Sequence, residues 1–345
     1  MGASFLKLSC FLGGVIIVLS ISCQKELDFP GDIFSTPVSE RQTVKILVLN
    51  FDPYFDVLGG GRKRIHEYYH WGDPRTLSGK YADALTEVSG GFIKFSIVEF
   101  RDIDEFPVKV DGFQYTQAEF DKCWRANAGF HSADEVDYLK LLRDQNVVSL
   151  INNNTIDEIW MWGGPYFGYW ESAMAGPKAF NINGGIYQNV NSTRAFAIMG
   201  FNYERELAEM LHSNCHRVEA TMSKVYGGWV VDQLTTTWAR FAANSRQSNG
   251  VAAVGSCHFP PNAESDYDYA NPNVVMSNAD DWLNYPNLTG QKKPVNKDTW
   301  GGPDYHLNYL KWWYKHLPQK PQTDREGKLL NWWKYIYDFN ETILK

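Results

Sequence analysis

The chain has 345 residues, 44 % of them hydrophobic and 21 % charged, with 40 acidic side chains against 33 lysines and arginines. That length can bury a substantial core in one large domain or two ordinary ones. The net charge of −7 leaves no basic stripe for a nucleic-acid footprint, so nucleic acid is not an expected partner.

The N-terminal segment reads as an export signal. Lys7 is its positive start, residues 8–21 carry no charge, and Ser20, Ile21 and Ser22 lead into Cys23. Only 17 residues separate Lys7 from Lys25, short of the ~20 apolar residues a membrane-spanning helix needs. The stretch Leu19-Ser20-Ile21-Ser22-Cys23 resembles a lipobox, with Ser20 standing where Leu is usual. That resemblance implies that residues 1–22 are removed and that Cys23 becomes the lipid-bearing N-terminus; an ordinary signal peptide cut nearby is the alternative. Gln24-Lys25-Glu26 resembles the Lys-acidic signal of Bacteroidetes lipoproteins, which implies display on the outer face of the outer membrane. Loss of residues 1–22 takes one lysine and leaves 32 basic against 40 acidic residues. Residues 23–42, with Pro30, Gly31 and Pro37, form an aperiodic tether.

Residues 44–51 (VKILVLNF) are a nearly continuous apolar, β-branched run, the pattern of a strand buried on both faces. Helical spacing over 78–88 ends at Gly90-Gly91, and 92–100 predicts a second strand. Helices are expected at 117–126 and 134–147, the latter capped by Ser132 and Asp134. Strands are expected at 156–162 (IDEIWMW) and 194–200, and the longest helix at 203–224 before Gly227-Gly228. Strands alternating with helices predict an α/β domain over 43–243, a mixed sheet of about four or more strands covered by helices. Residues 244–298 are loop-rich and carry scattered aromatics. Two short aromatic helices around Trp312-Trp313 and Trp332-Trp333 complete a C-terminal region, 244–345, that packs on the same domain. Of the cysteines beyond Cys23, Cys123, Cys215 and Cys257 permit one disulfide at most, and without a CxxC pair no thiolate zinc knot is indicated.

Three constellations could carry chemistry. His66-Glu67-Tyr68-Tyr69-His70 matches HExxH, but Gly59-Gly60-Gly61 and Gly72-Asp73-Pro74 leave about ten residues, barely three turns, to hold it. On the long helix, at roughly 100° per residue, Glu209, His212, His216 and Glu219 share one stripe of about 80°, opposite Leu207, Met210, Leu211, Val218 and Met222. This resembles the active-site helix of zincin metallopeptidases, except that Ser213 stands at the catalytic Glu position. The resemblance implies zinc on His212 and His216, with Glu209 as base and Glu219 as ligand or supporting partner. A third ligand must come from Glu219 or from a distant residue such as His258. The bland alternative is a solvated face on which Arg205 and Arg217 pair the acids.

The third constellation is the aromatic run of Trp160, Trp162, Tyr166, Tyr169 and Trp170 ending at Glu171. Flat aromatics beside a carboxylate suit a sugar ring, and core packing is the competing reading. From residue 44 onward the chain is similar to a Bacteroidetes-type family of secreted lipoproteins without assigned function, a likeness that implies no chemistry. The expected functions are therefore an extracytoplasmic metal-dependent hydrolase with zinc, acting on peptide or polysaccharide, or a non-catalytic glycan-binding surface lipoprotein.

Overall fold

The computed structural model describes residues 41–345. The signal segment, Cys23 and almost all of the tether lie outside the described residues. The first described element, β1 (Gln42–Phe51), is the apolar run anticipated above, begun two residues earlier. It is buried because it has a neighbour on each side: β2 (Ile93–Ile103) pairs with one edge and β3 (Glu158–Gly163) with the other, both parallel. The sheet continues through β4 (Ser172–Ala175), β5 (Ile186–Tyr187) and β6 (Phe196–Asn202), giving the spatial order β2-β1-β3-β6-β4-β5. The pairing of β4 with β6 is antiparallel, so the protein is α/β with a six-stranded, mostly parallel mixed sheet. β2 is an edge strand whose middle residues are exposed, and its Lys94, Glu99 and Arg101 keep that edge from pairing further.

Helices cover the sheet. In α1 (Pro74–Val88) Asp73 accepts a hydrogen bond from the Thr76 amide and Pro74 sits in the first turn, so the helix starts ahead of the expected residue 78. α2 (Gln117–Ala126) has the expected bounds. The single helix expected over 134–147 is instead two, α3 (Tyr138–Asp144) and α4 (Val147–Asn152), because the chain turns at Asn146 with φ +55°. Its cap is Asp137. Asp134 is held elsewhere: the buried Lys109 ammonium donates to its carbonyl and carboxylate, both at 2.7 Å, and to the Tyr166 carbonyl at 2.6 Å.

The long helix α5 (Leu207–Tyr226) ends on Gly227 in the left-handed region, φ +79°. Its polar stripe is not a solvated face: His212 and Glu219 are buried, as are Ser213, Asn214 and Arg217. The burial comes from the C-terminal region, where α6 (Tyr305–Lys315) and α7 (Trp332–Tyr337) pack against α5. Tyr314 donates to the Leu211 carbonyl at 2.8 Å, Asn214 to the Tyr337 hydroxyl at 2.8 Å, and Arg217 to the Ile336 carbonyl at 3.0 Å. Arg217 does not pair an acid of its own helix. It meets Glu158 of β3 at 2.8 Å, with both side chains inaccessible to solvent. One continuous core runs from β1 through Trp238, Trp282, Trp313 and Trp332. Among the described residues no helix is long and apolar enough to cross a membrane.

Candidate metal centre

The carboxyl ends of β3 and β6 open into a cleft of about 640 Å³, the position at which parallel sheets present ligand sites. The β3 side contributes Tyr166, Tyr169 and Glu171, and the β6 side contributes Arg205 and Glu209. The aromatic loop and the helical stripe, read from the sequence as separate constellations, thus border the same space. Trp160 and Trp162 do not. They are fully buried in β3, where Trp160 meets Tyr81 edge-on at 5.0 Å and Trp162 packs on Phe201 at 5.3 Å. Their indole N–H groups are spent inside, on Glu158 at 3.0 Å and on Ser78 at 2.9 Å. The ligand-binding expectation for these two is therefore corrected to core packing: β-strand alternation sends both rings to one covered face. Tyr166 and Trp170 are 40 % and 42 % exposed. The Glu171 carboxylate accepts from Asn183 at 2.6 Å.

On α5 the four-residue spacing stacks His212 over His216. A third imidazole arrives from the loop after Val254. Gly255 is left-handed, φ +83°, and a Cβ there would strike the Phe259 carbonyl, so only glycine makes this turn. The loop is pinned by Tyr309 and Tyr269, which donate to the carbonyls of Ser256 and Cys257 at 2.7 and 2.8 Å. The Cys257 amide donates to Glu219 at 2.7 Å. The result places the Nε2 atoms of His212, His216 and His258 at the corners of a triangle with sides of 3.0, 3.0 and 3.1 Å.

Each ring is also held from behind. Nδ1 of His216 lies 2.9 Å from Glu219, Nδ1 of His258 lies 2.9 Å from Asp266, and Nδ1 of His212 lies 3.1 Å from Nε2 of His306. A carboxylate can only accept, so it fixes the proton on Nδ1 and leaves the Nε2 lone pair directed at the triangle's centre. Glu219, expected as a ligand or a supporting partner, takes the supporting position: one oxygen holds His216 and the other holds the loop that carries His258. Three nitrogens converging at this distance suit a cation between them, since hydrogen bonding among the three can satisfy only part of the set. Burial, with the neighbouring imidazoles His216, His306 and His258 adding to it, pushes His212 down to about 2, so this ring is neutral and free to donate. At His216 burial works in the same direction, but the hydrogen bond and charge of Glu219 outweigh it and raise the net value.

The cluster His212, His216, His258 and Cys257 could hold a metal ion, its donor atoms all lying within 4.8 Å of one another. Cys257 is the least apt of the four. Its thiol is buried against the His212 carbonyl at 3.6 Å, and burial pushes it well above the ordinary thiol value. Glu209, expected as the base, borders the cleft a turn before His212. One of its oxygens accepts from the Glu206 amide at 3.1 Å and the other faces His306 Nδ1 at 3.9 Å.

The HExxH string forms no site. Its helix spans only Ile65–Tyr68, Glu67 caps that helix, and His66 pairs with Asp52 at 2.7 Å. His70 lies beyond the helix at φ +59°. Cys123, Cys215 and Cys257 are all free thiols. Sequence reasoning did not single out His306 or the roles of Asp266 and Tyr267. His258 and His306 lie 46 and 94 residues beyond His212, and no local spacing links them to the helix. No family model, no curated protein and no solved structure matches this chain.

Proposed function

We propose that this is a metal-dependent hydrolase, exported and anchored outside the cytoplasm through Cys23, with zinc held by His212, His216 and His258. The observation that carries the reading is the imidazole triangle with its supporting Glu219 and Asp266. Zinc fits it because bonds of ~2.0–2.1 Å in a tetrahedral arrangement separate nitrogen ligands by roughly 3.3 Å, close to the observed sides. Such an ion with an open position supplies a water nucleophile at neutral pH and polarises a scissile carbonyl.

The chain's own part is to place substrate beside the triangle and to move a proton. Glu209, with an oxygen toward His306 Nδ1, is the cleft carboxylate we assign as proton acceptor. Tyr166, Tyr169 and Glu171 line the same cleft with aromatic and acceptor groups. Protein purified without chelator should carry about one equivalent of zinc, and His212→Ala/His216→Ala should carry none while keeping its circular dichroism spectrum. Less than about a tenth of an equivalent of any transition metal in the wild type would sink the reading. Anchoring is tested separately: labelled fatty acid should enter the wild type and not Cys23→Ser.

A second reading, glycan capture without catalysis, is favoured by the exposed rings of Tyr166, which lines the cleft, and of Trp170, which lies outside the cleft lining with its indole on Glu135 at 3.2 Å. Tyr166→Ala/Trp170→Ala should then release the protein from polysaccharide in affinity gels. A wild type that no polysaccharide retards would rule it out.

A further inference from the structure

The approach to the imidazole triangle from the cleft is occupied by Tyr267. Its ring lines the cleft beside His212, stacks on that imidazole at 5.5 Å with an 18° tilt, and lies 4.4 Å from His258. Its hydroxyl is 3.2 Å from Nε2 of His258, a spacing close to that among the nitrogens themselves. The phenol oxygen therefore stands beside the His258 corner of the triangle, with its ring over His212.

The backbone shows that this placement is built. Tyr267 has φ +58°, a conformation that bulky residues adopt only when their surroundings impose it. Those surroundings are the metal loop itself: the Tyr267 amide donates to the His258 carbonyl at 3.0 Å, and the preceding residue, Asp266, holds His258 Nδ1 at 2.9 Å. Asp266 and Tyr267 thus grip one imidazole at both ring nitrogens. Tyr267 is 52 % exposed, which leaves solvent for the ring to turn into while its backbone stays fixed.

We propose that the Tyr267 phenol oxygen is the fourth protein donor of the centre at rest and closes it on the cleft side; this rests on the metal-centre reading above. On binding, the phenol oxygen gives its proton to solvent and an electron pair to the cation; on leaving, it takes a proton back. A substrate must therefore displace Tyr267 to reach the centre.

The test uses the full chain, wild type and Tyr267→Phe, loaded with one equivalent of Cu(II) and desalted. Both should retain the copper. Only the wild type should show the visible phenolate-to-copper charge-transfer band. Zinc-loaded Tyr267→Phe should also yield its metal to a chelator at least about tenfold faster, the scale set by loss of a supporting metal contact. Equal copper content with identical visible spectra would overturn the assignment of Tyr267 and leave the metal centre standing. Copper retained by neither protein, or equally by His212→Ala/His216→Ala, would overturn the centre and this proposal together.

Discussion

An imidazole that must offer Nε2 to a cation needs its proton on Nδ1, and the chain meets that need with a carboxylate at two of the three rings. The energetic consequence is graded. Glu219→Gln keeps the shape and one acceptor but loses the charge, so metal affinity should fall about 10–100-fold without loss of binding stoichiometry. Titration against a competing chelator measures it, and an unchanged affinity would show that Glu219 serves only the loop. Elsewhere the same residue type stabilises the fold. At His66 burial alone would lower the pKa, but the hydrogen bond and charge of Asp52, helped by Glu67 and Asp73, raise it. A raised folded-state value means that the stabilisation is complete below the unfolded value near 6.5 and fades as pH climbs through the folded value. The urea midpoint of His66→Gln should therefore trail the wild type by more at pH 5.5 than at pH 8.5; a gap that widens with pH would refute this. The two histidine pairs show what residue-level reading can and cannot see. The i, i+4 spacing on α5 was visible because a helix makes sequence neighbours into spatial ones. His258 could be named only as one distant candidate for a third ligand, and Asp266 and His306 not as partners at all, because only tertiary packing brings them there.

At the scale of elements, β3 and α5 decide which aromatic and charged residues remain available for chemistry. Their join is the inaccessible Arg217–Glu158 pair, over which the Tyr337 ring stacks 4.4 Å from the guanidinium. Removing one partner leaves the other charge buried, so Glu158→Ala should cost about 3–5 kcal/mol, measured as a fall in the unfolding midpoint. Trp162→Ala should cost about 3–5 kcal/mol as well, through the cavity it opens. If Trp162→Ala instead abolished polysaccharide retention at unchanged stability, its placement in the core would be wrong. The sequence made β1, β3 and α5 legible through length, hydrophobic run and the terminal glycines. It misled at 134–147, where Asp134 looks like a cap but its oxygens serve Lys109. It was silent on β4 and β5, which are too short to show a period.

Across the whole molecule, the centre is carried by parts the core already fixes. α5 is wedged between the sheet and the aromatic helices α6 and α7, and the His258 loop hangs on Tyr269, Tyr309 and Trp313, the last donating to the Gly255 carbonyl at 3.0 Å. The triangle thus rests on contacts of the core, and we expect it to form without an ion, in contrast to small metal domains that fold only when loaded. A ligand that binds only the folded state stabilises it by mass action, by about 2.7 kcal/mol at a hundredfold excess over its Kd. At roughly 2–4 °C per kcal/mol for a chain of this order, saturating zinc should raise Tm by roughly 5–10 °C. Chelator-treated protein should still unfold cooperatively with its circular dichroism intact, and His258→Ala should show one Tm with or without zinc. If removing the metal collapsed the fold, the centre would be structural.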